Sequence, residues 1–73
     1  MRIGELAQAS STSVETIRFY EREGLLAEPA RTHGNFRIYT EIHVHRLRFI
    51  RHCRNLDMTL NEVRVLLRFR DAP

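Results

Sequence analysis

Five side chains of this 73-residue sequence carry a nitrogen or sulfur that could ligate a transition metal: His33, His43, His45, His52 and Cys53. Neutral imidazole and thiolate are ligands that such ions accept. On a helix, however, two ligands must lie three or four positions apart to share a face, and no pair among His43, His45, His52 and Cys53 does. No metal site is therefore expected within the chain, and Cys53 reads as a small buried apolar residue. The second source of chemistry is the guanidinium group. All 12 basic residues are arginine, against 9 acidic ones, for a net charge of +3 and a pI near 10.0. Arginine offers a planar fork that pairs bidentately with phosphate or guanine, which lysine does not, so this usage points to a polyanionic partner. Ser/His/Asp, paired-carboxylate and glycine-rich phosphate motifs are absent. Gly34-Asn35 reads as a turn, and so short a helical chain leaves little room for an enclosed catalytic pocket. An enzyme is the least favoured class.

The elements that must position these arginines centre on Thr12 to Gly24. Thr12 with Glu15 three residues on forms a capping box that starts a helix, and Gly24 supplies the left-handed stop. Val14 and Ile17 make a narrow inward stripe, continued by Leu25 and Leu26. The opposite face carries Glu15, Arg18, Phe19 and Arg22, a long hydrogen-bonding surface of the kind laid in a DNA major groove. Upstream, Ile3, Leu6 and Ala7 at i, i+3 and i+4 predict a helix of about two turns ending at Ala9-Ser10-Ser11. Two short helices joined by a tight polar turn form the helix-turn-helix pattern.

Beyond Gly24, Pro29 forbids helix, Thr32-His33-Gly34-Asn35 is rich in turn formers, and Phe36-Arg37-Ile38-Tyr39 alternates with the period of a strand. A hairpin with strands near Ala30–Arg31 and Phe36–Tyr39 is expected as a wing. Alternation puts Phe36 and Ile38 toward the core, with Arg37 and Tyr39 outward. Thr40 caps a scaffold helix of about Glu41 to Leu56, with Val44, Leu47, Ile50 and Cys53 as its apolar stripe, flanked by Phe49 and Leu56. A second capping box, Thr59 with Glu62, opens a helix running to about Phe69, with Leu60, Val63, Leu66 and Leu67 inward. One cysteine excludes an internal disulfide. No apolar run suggests a signal peptide or membrane span, so a cytoplasmic protein without membrane partners is expected. Seventy-three residues make one small domain. The fold class is thus mainly α: a winged helix-turn-helix of two short helices, a β-hairpin wing and a second helix pair.

The segments Ile3-Gly4-Glu5-Leu6-Ala7, Glu15-Thr16-Ile17-Arg18-Phe19-Tyr20-Glu21, Gly24-Leu25-Leu26, Gly34-Asn35-Phe36-Arg37-Ile38-Tyr39 and Leu56-Asp57-Met58-Thr59-Leu60 together resemble the DNA-binding domain of MerR-family transcription regulators. Arg51-His52-Cys53-Arg54-Asn55-Leu56-Asp57-Met58 is similar to the cadmium- and lead-responsive branch. The resemblance implies a domain spanning residues 1–73, with a dimerisation helix and metal-binding loop expected beyond Pro73. It implies a bacterial, nucleoid-associated homodimer whose partners are double-stranded promoter DNA and RNA polymerase. No cofactor belongs to this chain, but a divalent heavy metal is expected for the longer protein, cadmium or lead first and zinc or mercury next. Without metal such a regulator represses. With metal it bends and untwists an over-long promoter spacer so that its two elements realign. By matching residue, Arg18 would read bases with Glu15 and Thr16 beside it, while Phe19 and Tyr20 would meet the backbone. Arg31, Asn35, Arg37 and Tyr39 on the wing would grip phosphates or the minor groove. Arg54 with the turn containing Met58 would form a second wing-like contact. Two other readings stand beside it: a recombination-directionality or phage accessory DNA-binding protein, and a protein-interaction module that meets an acidic partner without binding DNA.

Overall fold

A computed structural model describes residues 1–72. Helix α1 spans Ile3–Ser10 and α2 Val14–Arg22; strands β1, Ala30–Arg31, and β2, Arg37–Ile38, form an antiparallel hairpin; α3, Glu41–Asn55, and α4, Leu60–Asp71, complete the order. Ala30 lies opposite Ile38 and Arg31 opposite Arg37. This is the winged helix-turn-helix with a second helix pair that the sequence leads one to expect.

Helix α3 is the scaffold because its apolar stripe feeds two cores. Its first half contributes Val44 and Leu47 to a cluster with Leu6, Ile17, Leu26 and Tyr39. Its second half contributes Ile50 and Cys53 to a cluster with Leu25, Val63 and Leu67. Leu25 and Leu26 are adjacent in sequence yet belong to different clusters, and the half-buried Tyr20 packs against both. The chain just past α2 therefore joins the helix-turn-helix to the helical body. Truncating a fully buried residue such as Leu47 or Ile50 is expected to cost about 2–5 kcal/mol.

The end of α2 has the double hydrogen bond of a Schellman motif. Gly24 N–H donates to the Glu21 carbonyl (3.1 Å) and Leu25 N–H to the Tyr20 carbonyl (2.9 Å). Gly24 has φ +74°, which bears out its role as the left-handed stop. The start differs from expectation. Ser13, not Thr12, caps α2: its Oγ accepts from Thr16 N–H at 3.1 Å. Thr12 is instead drawn back onto α1, its N–H donating to the Ala7 carbonyl (3.1 Å) and its hydroxyl to the Ser10 carbonyl (3.2 Å). The Thr59–Glu62 box is as read: Thr59 N–H donates to Glu62 Oε1 (2.8 Å) and Glu62 N–H to Thr59 Oγ1 (3.1 Å).

The alternation on the wing inverts at both ends. Tyr39 is buried and Phe36 is 53% exposed, the reverse of the expected faces, while Arg37 is exposed and Ile38 half-buried. With only two paired residues per strand, the period of two holds for Arg37–Ile38 alone. Tyr39 lies past the strand, where its backbone pairs with Met1: Tyr39 N–H donates to the Met1 carbonyl (2.7 Å) and the Met1 amine to the Tyr39 carbonyl (2.6 Å). That pairing drops the ring into the first core. Leu56 and Leu66, expected inward, are exposed at 64% and 39%. Leu56 follows the end of α3, and α4 rests mainly on α3, so its buried stripe is only as wide as Val63 and Leu67. Pro73 lies outside the described residues.

Candidate nucleic-acid interface

Ile17, fully buried, fixes α2 against the first core and thereby turns Glu15, Arg18, Phe19 and Arg22 to the outside. Arg18 is exposed and, among the described residues, its guanidinium makes no hydrogen bond or ion pair. Because Ser13 satisfies the helix start, the Glu15 carboxylate is likewise free of a protein partner among these residues. Thr16 is more occupied: Ser13 Oγ donates to its hydroxyl at 2.8 Å. Phe19 is 36% exposed, its ring tilted against Tyr20 with centroids 5.9 Å apart.

The hairpin lies on the same side. Arg18 and Arg37 both line two adjoining open grooves. One is completed by Glu21, Arg22, Leu26 and Glu28, the other by Arg2, Ile3, Arg31, Asn35, Phe36 and Tyr39. Four predicted site residues from different elements, Arg18, Arg31, Asn35 and Arg37, are thus brought onto one surface. Turn geometry explains the Asn35 placement: its N–H donates to the Thr32 carbonyl (2.9 Å) at φ +65°, a left-handed conformation that asparagine tolerates. Arg31 reaches across the turn, donating from Nη1 to the Asn35 carbonyl (3.3 Å) and lying 3.9 Å from Glu28.

Glu21 ties wing to helix, a role that sequence reasoning did not assign. Its side chain accepts a hydrogen bond from the buried Tyr39 hydroxyl at Oε1 and pairs with Arg37 Nη1 at 3.6 Å through Oε2. Burial, and then the hydrogen bond to the Glu21 carboxylate, push the Tyr39 phenol up to about 12. The predicted role of Tyr39 as an outward phosphate grip is therefore corrected: its ring belongs to the core and its hydroxyl to Glu21. A signal was present in position, since Glu21 lies one turn beyond Ile17 and Arg18, between the buried and exposed faces of α2.

Arg54 and Met58 stand apart from this surface, at the turn between α3 and α4. Arg54 Nη1 donates to the Met58 carbonyl (2.8 Å), and the half-buried Met58 side chain packs on the second core. Its thioether is thus directed inward, and only the turn's polar groups face out. Tyr20 is half-buried and packs against both cores.

Two buried side chains of the body are structural. His43 is buried: Thr40 N–H donates to Nδ1 (3.1 Å), which leaves Nε2 to carry the proton toward the Ala27 carbonyl (3.3 Å). Cys53 is buried in the second core, and among the described residues no three His, Cys, Asp or Glu side chains converge as metal ligands. Nor is any described helix long and apolar enough to cross a membrane.

The comparisons agree with this architecture. The family model for MerR HTH family regulatory protein matches residues 1–69. The chain is 54% identical over 72 residues to the HTH-type transcriptional regulator ZntR homolog of Haemophilus influenzae, covering 99% of this chain and 53% of that protein. Against ZntR of Escherichia coli it is 46% identical, covering 99% and 51%. Among solved structures, the lead(II) complex of the transcription regulator PbrR691 from Ralstonia metallidurans superposes with a TM-score of 0.92 at 62% identity, covering 97% of this chain and 56% of that one. The chain spans about half the length of the relatives it matches. With fold, motif blocks and near-complete coverage in agreement, the chain belongs to the MerR family of helix-turn-helix regulatory proteins, which are transcriptional regulators and not enzymes.

Proposed function

We propose that this chain is the sequence-specific, double-stranded DNA-binding part of a metal-responsive transcriptional regulator. Arg18 reads base edges in the major groove, flanked by Glu15 and Thr16, with Phe19 and the edge of Tyr20 against the backbone. Arg31, Asn35 and Arg37 hold phosphates from the wing, and Arg54 with the turn before α4 makes an outer backbone contact. The observation that carries this reading is the free, exposed guanidinium of Arg18 on the same surface as the wing arginines. The similarity to ZntR and to a lead(II)-bound regulator supports a divalent heavy metal as effector. On this reading the metal's ligands and a dimerisation helix lie outside residues 1–73, in a longer protein. In the whole protein, a homodimer represses without metal and, when metal-bound, distorts an over-long promoter spacer so that RNA polymerase can use it.

A gel-shift titration of the full-length protein against the promoter region adjoining its own gene, beside a scrambled duplex of equal length, tests the reading. A shift on the promoter at moderate salt that the scrambled duplex does not match supports it. Equal binding to both overturns sequence-specific recognition, and no shift overturns DNA binding and favours a protein-interaction module. A recombination accessory protein would bind DNA but leave transcription from that promoter unchanged by cadmium, lead, zinc or mercury ions.

A further inference from the structure

Phe36 is a large apolar side chain left half in solvent, yet it is not loose. Gly34 lies beneath it, and a Cβ at that position would come within 3.1 Å of two ring carbons, so glycine makes room for the ring against the turn. Over the ring sits the Arg2 guanidinium, 4.2 Å from its centroid. Arg2 is brought there by the two backbone hydrogen bonds between Met1 and Tyr39. Stacking uses the flat face of the guanidinium and leaves the N–H donors around its edge free. No carboxylate or carbonyl takes them among the described residues; Arg2 is engaged through its backbone, its N–H with Glu5 Oε1 at 3.0 Å and its carbonyl with Leu6 N–H at 3.0 Å. Arg2 and Phe36 line the groove shared with Arg18, Arg31 and Arg37.

We propose that Arg2 is a further contact to the DNA phosphate backbone, held in place by the Phe36 ring as a platform, so that the segment before α1 acts as part of the wing. The inference rests on the DNA-binding reading above. A stacked guanidinium with a free edge suits an anionic oxygen, because the ring fixes its orientation without competing for its donors. The second stacked pair, Arg70 at 4.4 Å from the Phe49 centroid, lies on the α3–α4 body and supplies an internal control.

Fluorescence anisotropy of the full-length protein on the promoter duplex and on a scrambled duplex, over a salt series, provides the test. Arg2→Ala is expected to weaken both complexes by a similar factor, roughly fivefold at physiological salt, and to make the salt slope shallower by about one for each protomer bound. Phe36→Leu keeps apolar bulk and every charge, so a smaller weakening with an unchanged slope is expected. Arg70→Ala should leave affinity and slope as in the wild type. Arg2→Gln, which keeps the side chain's length, repeats the measurement if Arg2→Ala lowers the melting temperature. Wild-type affinity and slope for Arg2→Ala or a normally folded Arg2→Gln, while Arg18→Ala still loses promoter preference, would overturn the inference alone. Absence of promoter preference in the wild type would strike the underlying reading instead.

Discussion

The reading surface and the helical body are built with the same residue and use it in opposite ways. On the surface formed by α2, the wing and the first residues, Arg2, Arg18 and Arg22 make no ion pair or hydrogen bond through their guanidinium groups among the described residues, and Arg31 and Arg37 make only loose ones. In the body, arginine closes helix ends. Arg48 donates to the Ala9 carbonyl (3.0 Å) and Arg51 to that of Ser11, at the end of α1. Arg64 donates to the Glu23 carbonyl (2.8 Å) and Arg46 to that of Leu25 (2.6 Å), at the end of α2. Carbonyls at a helix C-terminus lack intrahelical donors, so a cation there both satisfies them and meets the negative end of the dipole. An arginine held by the carbonyl end of a helix distant in sequence is part of the frame. Arg2, Arg18 and Arg22, with no such partner among the described residues, are available to a ligand.

The border between the regions gives the largest expected effect. Tyr39 keeps its proton up to about 12, above its ordinary 10.0, so the folded state favours the neutral phenol. Stability from this group is fully present below pH 10 and is lost as pH rises through about 12, a loss of about 2–3 kcal/mol. Urea unfolding across that range should show the decline, and Tyr39→Phe should flatten it. The same decline in the variant would detach the wing from Glu21. Next in size, Arg18→Ala should cost about 1–3 kcal/mol on the promoter and erase its preference over random DNA, with unfolding unchanged. Equal losses on both duplexes would make Arg18 a phosphate contact.

The body predicts the converse. Arg46 donates to the carbonyl of the buried Leu25 and grips Asp71 bidentately at 2.7 and 2.8 Å. Arg46→Ala should therefore lower stability by about 1–2 kcal/mol and leave the salt slope of DNA binding alone. A shallower slope would place Arg46 in the interface and break the division. Smallest of all, Arg37→Ala should weaken every complex modestly and reduce the slope by about one for each protomer bound. An unchanged slope would remove the wing.

Helices and their stops were legible because they rest on short-range rules: Gly24 needs its left-handed conformation, Thr59 and Glu62 satisfy each other, and Val44, Leu47, Ile50 and Cys53 recur on one stripe. The wing was legible as a hairpin but not in its facing, since the tertiary pairing of Met1 with Tyr39 overrides the alternation of a two-residue strand. Arg18, Arg31, Asn35 and Arg37, named together from the sequence, line one groove. Arg2, Phe36 and Glu21 were missed because each acts through partners more than fifteen positions away. The arginine staples were invisible for the same reason, as Arg48 and Ala9 are 39 positions apart.

Cys53 has a practical consequence. Its thiol is sealed between Leu25, Ile50, Val63 and Leu67 and is the chain's sole sulfhydryl. An alkylating reagent can reach it only when α4 lifts from α3, so its labelling rate is a clock on the opening of that helix pair. Any loosening of that pair on DNA binding would register there as a change in tempo.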